Sequence, residues 1–549
     1  MRIKGPMTTK RRESDMPNPT RIGLAIFVLL FVCYGYFFQG GGWNQNSRFD
    51  QIRAIVEQQE LDINNYLVYQ ANAVYGGDVK ILRLPSTEVD GNLISANSLD
   101  ITRFAGKFYP NKPPGTVFLA LPAYGFIYRL ETMFGLDADG WWVQTFNVYF
   151  VTVFTVGLIS ALGGVVLFFL SRRLFPETPP WTHLATTLAY GLGTLIWPFA
   201  TLLFDHNLVA TLSLCAFALL LVEAQGGSDA LRPNLAYFLA GFLCGLSIVV
   251  NYVASITSVC LFFYGISTTK RRPPFIFAGL AGSAVPIISL LWYHNVCFGS
   301  PLATANSYQF GMFQSADAVL FGMLTLPNPV VAFDLLFPYY RGLFFTSPVL
   351  LLTGLGLVIM ANNRSRRPEA ILFASIFAAY LLMNSAFNHW EAGWTAGPRY
   401  LIPALPFLAL PGALVFTRLP RLTGALALAS ICMMLLITSV DPQVPTAVRN
   451  PLYDHALRLI LGRKLEVNGI NIEGPLSANP IGVYESWNRP AGAVSAAQRR
   501  WHSFNLGEFV WPNSLWSLSP LIMFVAGAIL YISWVLKKIV ANRPTKLCA

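Results

Sequence analysis

The chain alternates long apolar runs with short polar links. Apolar runs lie near 22–38, 143–170, 182–203, 206–223, 235–250, 252–268, 275–293, 346–361, 369–387, 401–417, 422–440 and 518–537. Each is roughly 16–28 residues long, about what a helix needs to cross a bilayer. The pattern predicts about 12 transmembrane helices, or 13 if the ambiguous segment 115–134 (GTVFLALPAYGFIYRLETMF) also crosses. Two polar intervals are far longer than a link of about 2–8 residues requires: 39–114, directly after the first run, and 441–517, before the last.

The basic residues give the runs a direction. Lys10, Arg11 and Arg12 precede the first run. Arg172–Arg173, Lys270–Arg272, Arg364–Arg367, Arg418–Arg421 and Lys537–Lys538 fall in later links. Cytoplasmic links of membrane proteins collect Lys and Arg. Placing all of these inside leaves 39–142, Asp205–His206, Asn251–Tyr252, 294–345, 388–400 and 441–517 on the outer face. It also needs a single net crossing between residues 39 and 171, so 115–134 is expected to lie along the outer interface or to dip in and return.

Composition agrees with this picture. Of 549 residues, 54% are hydrophobic and only 12% charged, with a mean hydropathy of +0.50. Soluble domains carry about 25% charged residues. The fold class is an all-α polytopic membrane protein. The net charge of +11 is accounted for by topology, and no Arg/Lys–aromatic surface segment argues for nucleic acid. The seven cysteines show no CxxC or paired spacing, so neither a disulfide framework nor a zinc site is indicated. The first run lacks a small-x-small cleavage site, and an uncleaved span is expected. No Asp, Glu, Lys or Arg lies at the middle of a run, where an ion-coupled transporter would place its ionisable groups.

Candidate chemistry therefore sits at the outer face. Asp50 follows the first run closely, with Asp62 and Asp100 further along the same loop. A carboxylate just above the membrane can act as a general base. Ile52, Ile55, Val56 and Leu61 also form one stripe, which predicts an amphipathic interfacial helix with Asp50 on its polar side. Lys112 lies in Tyr109-Pro110-Asn111-Lys112-Pro113-Pro114-Gly115. The two prolines stiffen the backbone, and a fixed ammonium at headgroup depth suits a lipid phosphate; snorkelling would serve equally at a helix start. In the 388–400 link, Arg399 is a second phosphate clamp, and His389, Glu391 and Trp394 line a sugar site, Trp394 by stacking. Asp205–His206 is either an N-cap or an Asp/His pair at the mouth. Arg341 is a third outer-face arginine, either a phosphate contact or an interface anchor. Asp50, Asp205 and Glu391 would have to converge to hold a divalent cation. No spacing demands a metal or any other cofactor, and no nucleotide-binding motif occurs.

Three stretches carry a resemblance. They are Asn46-Ser47-Arg48-Phe49-Asp50 with Arg53-Ala54-Ile55-Val56-Glu57, then Tyr109 to Gly115, then Gly393-Trp394-Thr395-Ala396-Gly397-Pro398-Arg399-Tyr400-Leu401-Ile402-Pro403. Together they resemble the GT-C superfamily of membrane glycosyltransferases, specifically its family-39-like and aminoarabinose-transferase-like branches, over most of 20–440. The resemblance implies transfer of a sugar from a polyprenyl-phosphate donor to a lipid, glycan or protein acceptor, with Asp50 as base and Lys112 and Arg399 on the phosphate. Many relatives carry an Asp-Glu pair where this chain has Asp50-Gln51, which keeps Asp62 and Asp100 in reserve as the base. Inversion at the anomeric carbon is expected. The rivals are a flippase or transporter of lipid-linked sugars and a polymerase or ligase using a lipid pyrophosphate. The expected organisation is a basic cytoplasmic tail (1–21), a membrane domain (22–440) with its catalytic loop at 39–114, an outer cap (441–517), and a last helix with a basic tail (518–549). The chain is expected in the plasma membrane, with its site on the outer face and both termini in the cytoplasm.

Overall fold

A computed structural model describes residues 19–75, 78–84, 97–226, 232–309, 317–319, 322–461, 465–467, 470–472, 503–512 and 514–541. Helices dominate. Among the described residues, seven are long and apolar enough to cross a membrane: Trp142–Leu174, His206–Ala224, Pro233–Val250, Arg272–Phe298, Arg367–Ser385, Pro420–Val440 and Leu515–Lys538. An eighth is obtained if the bent pair Arg399–Ala409 and Gly412–Arg418, with a 57° angle between its halves, counts as one span. Thr20–Gly35, Tyr252–Thr268 and Val349–Ala361 are apolar but shorter. The protein is membrane-embedded, and these lengths do not reach the twelve or thirteen full spans expected.

The differences have local causes. The run 182–203 is two helices, Pro180–Leu192 and Ile196–Ala200. Between them the Thr194 hydroxyl bonds back to Tyr190 O (2.6 Å) beside Gly193, competing with the helical ladder. The run 401–417 is broken because Pro403, Pro406 and Pro411 each lack a backbone donor. The long span is instead continuous through a π-turn at Val153–Gly157 that joins Trp141–Thr152 to Leu158–Leu174.

The outer loop is folded and buried. Helix α1 (Pro19–Gly35) leads into strand β1 (Phe37–Phe38) and helix α2 (Trp43–Arg53), which runs on as a π-turn over Ala54–Gln58. Two hairpins follow: β2 (Val68–Tyr75) with β3 (Asp78–Leu84), and β4 (Ile101–Phe104) with β5 (Lys107–Pro110). Helix α3 (Gly115–Phe134) closes the loop. The expectation of an interfacial α2 with a solvated polar side is wrong, because every residue from Asn44 to Arg53 is buried. Its polar side chains find partners inside the protein, as buried polar groups must. Much of the expected cap 441–517, including most of the Asn/Pro-rich stretch, lies outside the described residues. Of the rest, Phe504–Asn505 pairs antiparallel with β1, and Val444 O accepts from Thr395 N (3.0 Å).

Candidate active site

The site forms where α2 meets the bend before helix His206–Ala224. Arg48, on α2, is fully buried. Its Nη2 donates to Asp205 Oδ2 at 2.7 Å, Nη1 donates to Leu203 O at 3.3 Å and also to Asn44 Oδ1, and Nε is buried without a partner. Gln45 Oε1 accepts from Leu203 N (2.9 Å), so two residues of α2 grip the same bend. Asp205 also accepts from Asn251 Nδ2 (3.1 Å) and faces His206 Nδ1 at 3.3 Å. Its side chain makes no cap bond to the helix that follows. Of the two readings of Asp205–His206, the pair is therefore the one present.

Burial alone would raise the Asp205 carboxyl's pKa. His206, Arg48, Lys112 and Arg399 more than offset that and hold it below the usual carboxylate range. The charges of Lys112 and Arg399, 287 residues apart in sequence, thus both favour the ionised form of one carboxylate. Arg399 and Arg48 both lie over the ring of Phe204, with guanidinium carbons 5.1 and 6.0 Å from its centroid. The Nε of Arg399 is buried and has no partner.

Lys112 is held by the chain on both sides. Asn111 N donates to Asp100 O (3.1 Å), and Lys112 Nζ lies 3.8 Å from Asp100 Oδ1. After Pro113 and Pro114, Gly115 starts α3 against the backbone of Val249 and Val250, where a Cβ would come within 2.5 Å of both. That contact fixes Lys112 relative to the end of helix Pro233–Val250, one residue before Asn251.

Asp50 is on α2, 1% exposed, and accepts from Asn97 Nδ2 at 3.0 Å. Asn97 is itself strapped to α2, since its carbonyl accepts from Asn46 Nδ2 at 2.7 Å. Ser98 Oγ adds a bond to Trp43 O (2.6 Å). Asp50 and Asp100 are thus carried by α2 and by a segment tied to it. Asp62 is tied elsewhere: Lys107 Nζ donates to it at 2.6 Å, and the neighbouring Asn64 Oδ1 accepts from Phe108 N, so this carboxylate clamps hairpin β4–β5.

The 388–400 loop supplies the opposite wall. His389 Nδ1 lies 3.7 Å from Glu391 Oε1. Ala392 and Gly393 turn the loop at φ 61° and 65°; a left-handed alanine is strained, and such strain gathers at functional sites. Trp394 is half-buried. Tyr400 packs edge-on to His206 (5.6 Å between centroids), which joins the loop to the Asp205 bend. Arg341 is fully buried behind Glu391, donating from Nε to Glu391 O (3.4 Å) and from Nη1 to Tyr340 O (3.0 Å). It is not a surface anchor. Asp50, Asp205 and Glu391 do not form a metal site: among the described residues, no group of three His, Cys, Asp or Glu side chains could hold an ion.

No family model and no curated protein matches the chain. The fold is similar to that of ArnT from Cupriavidus metallidurans bound to undecaprenyl phosphate, at 12% identity and a TM-score of 0.48, covering 96% of this chain and 78% of that one. It is also similar to the archaeal oligosaccharyltransferase AglB from Archaeoglobus fulgidus in complex with an inhibitory peptide and a dolichol-phosphate. That match has 12% identity and a TM-score of 0.46, and covers 92% of this chain and 63% of that one. At these identities the likeness is one of architecture, and the chemistry rests on the side chains described above.

Sequence reasoning gave no role to Arg48, Asn97 or Asn251. One signal pointed towards Arg48. Asp205 is the only carboxylate between Glu177 and Glu223, and a lone acid in so apolar a stretch needs a buried cation.

Proposed function

We propose that the protein is a membrane glycosyltransferase that moves a sugar from a polyprenyl-phosphate donor to an acceptor of the cell envelope at the outer face. One observation carries this reading: Arg48 pairs with one buried carboxylate, Asp205, and the charges of Lys112 and Arg399 act on that same carboxylate, beside the segment that holds Asp50 and Asp100. Asp205 is committed to Arg48. Lys112, about a quarter exposed, and the unpartnered Nε of Arg399 remain to receive an anion. A lipid phosphate entering from the bilayer would meet them without crossing water. They would offset the charge that develops on its oxygen as the glycosidic bond breaks. Asp50 would take the proton of the attacking hydroxyl or amine. Displacement from the side opposite the phosphate inverts the anomeric centre. His389, Glu391 and Trp394 would face the sugar, with Asp62 a brace of the loop.

The test is transfer by the purified protein, offered polyprenyl-phosphate sugars singly with membrane lipid extract as acceptor. Asp50→Asn is expected to lose at least about 100-fold in turnover and to keep donor binding. Lys112→Ala is expected to weaken donor binding itself. If wild type consumes no donor but moves labelled lipid between leaflets of a liposome, the transferase reading fails and a flippase replaces it.

A further inference from the structure

Arg341 is a fully buried charge that the proposed reaction leaves unused. Its side chain is fully buried, donates to two backbone carbonyls and lies over the face of Tyr340, 4.2 Å from the ring centroid. Nη2 is buried with no partner. Among the described residues no carboxylate lies within ion-pair distance of either Arg341 or Arg399. The groups facing Arg341 are Tyr340, Glu391, Arg399 and His455. Glu391, the acid that faces Arg341, turns its carboxylate to His389. Burial lowers the pKa of Arg341 to about 10, against the opposing pull of Tyr340 and Glu391. A guanidinium still carries its proton there, so Arg341 is a buried cation with no ion-pair partner among the described residues. Such an arrangement is costly unless an anion arrives.

We propose that Arg341 forms a second phosphate subsite, next to the one formed by Lys112 and Arg399. The subsite rests on the functional reading above and extends it. Arg399 stands between the two positions, over Phe204 on the Arg48 side and within range of Arg341 on the other. Guanidinium forks pair two oxygens of one phosphate, which suits Arg341 with its free Nη2. The second phosphate has two sources, a diphosphate on the donor lipid or a phosphate on the acceptor.

Calorimetric titration of the full chain in detergent micelles with inorganic phosphate tests the subsite directly. Wild type is expected to take two equivalents and Arg341→Gln one. Arg364→Gln, an exposed arginine in the link after helix Val349–Ala361, serves as the charge control and is expected to keep two. Arg341→Lys keeps the charge but not the fork and is expected to hold the second equivalent about tenfold more weakly. Polyprenyl monophosphate and diphosphate then separate the sources. A diphosphate preference of at least about tenfold that Arg341→Gln removes assigns the second phosphate to the donor. Equal binding of the two lipids, with a raised KM for a phosphate-bearing acceptor in Arg341→Gln, assigns it to the acceptor. A single equivalent in wild type, which needs no variant to fold, overturns the proposal. So does a loss shared equally with Arg364→Gln. Asp50→Asn is expected to retain both equivalents, so a failure of the transferase reading shows as absent turnover with two phosphates still bound.

Discussion

The Arg48–Asp205 pair organises the site at the level of single residues, and its energetics are asymmetric. A buried ion pair adds little over a well-packed apolar pair, but removing one member strands the other. Asp205→Asn is expected to destabilise the protein by about 3 kcal/mol, read as a lower unfolding midpoint in detergent. The double variant Arg48→Met/Asp205→Leu should lose less than that single change, and a double variant losing more would refute the account of the pair. The acid dependence follows from the sign of the shift. The folded Asp205 pKa lies below its ordinary value, so its contribution is complete above pH about 4. It is lost as the pH falls through the lower folded value. Wild-type stability should therefore fall on acidification below pH 4, and Asp205→Asn should show a shallower acid limb. The same pair shows where local sequence reading stops. Asp50, Lys112, Asp205 and Arg399 were legible because each stands beside Pro, Gly or an apolar boundary where a charge is conspicuous. Arg48 was not, because its partner is 157 residues away and no periodicity links them.

The placement of Lys112 depends at the element scale on the join between β5 and α3. Gly115 packs its Cα against the Val249–Val250 backbone, which cannot move aside as a flexible side chain would. Gly115→Ala is expected to cost about 1–3 kcal/mol by overpacking and to raise the KM for the donor by displacing Lys112. Gly125, one helical face away on α3, has nothing within 4 Å of where a Cβ would stand. Gly125→Ala should leave the KM unchanged and stabilise slightly, by about 0.5–1 kcal/mol. An equal effect of both on KM would show that the close approach at Gly115 does not position the lysine. Elements were legible in the sequence where an unbroken apolar run ended at Pro, Gly or a basic residue, as in Pro233–Val250, Arg272–Phe298 and Pro420–Val440. They were misread where proline or a back-bonding threonine broke a run that composition alone still reads as continuous. Helix α2 was misread for another reason: its apolar stripe is real, but the polar side faces protein instead of water.

At the scale of the whole molecule, the contacts divide the links into two ends. Glu177 pairs with both Nη groups of Arg366 (2.6 and 2.7 Å), and Arg173 Nε donates to Gln225 Oε1 (2.8 Å). Tyr264 donates to Glu369 (2.7 Å) and Tyr237 bonds Thr269 (2.7 Å), so the basic links after residues 171, 267 and 361 gather at one end. Arg48, Asp205, Asn251 and Arg399 gather at the other. Helix α1 runs between them, with Gly23 beside Phe169 near the basic end and Gly35 beside Val153. Helix α3 does not make the same journey. Its Phe126 stacks on Phe150 (6.2 Å), and its later Glu131 lies beside Asn147, so it runs back along the long span away from the basic end. An α3 that stays at the site's end leaves one net crossing between residues 39 and 171, and every basic link then falls on one side, as the cytoplasmic bias of Lys and Arg requires. The prediction is a labelling pattern. In sealed right-side-out vesicles, single cysteines at Glu391 and Asp137 should react with a membrane-impermeant maleimide, and one at Arg364 should react only after permeabilisation. Native Cys432 is exposed on helix Pro420–Val440 and would be replaced by serine first. Labelling at Asp137 together with Arg364, and not with Glu391, would mean that α3 crosses the membrane after all.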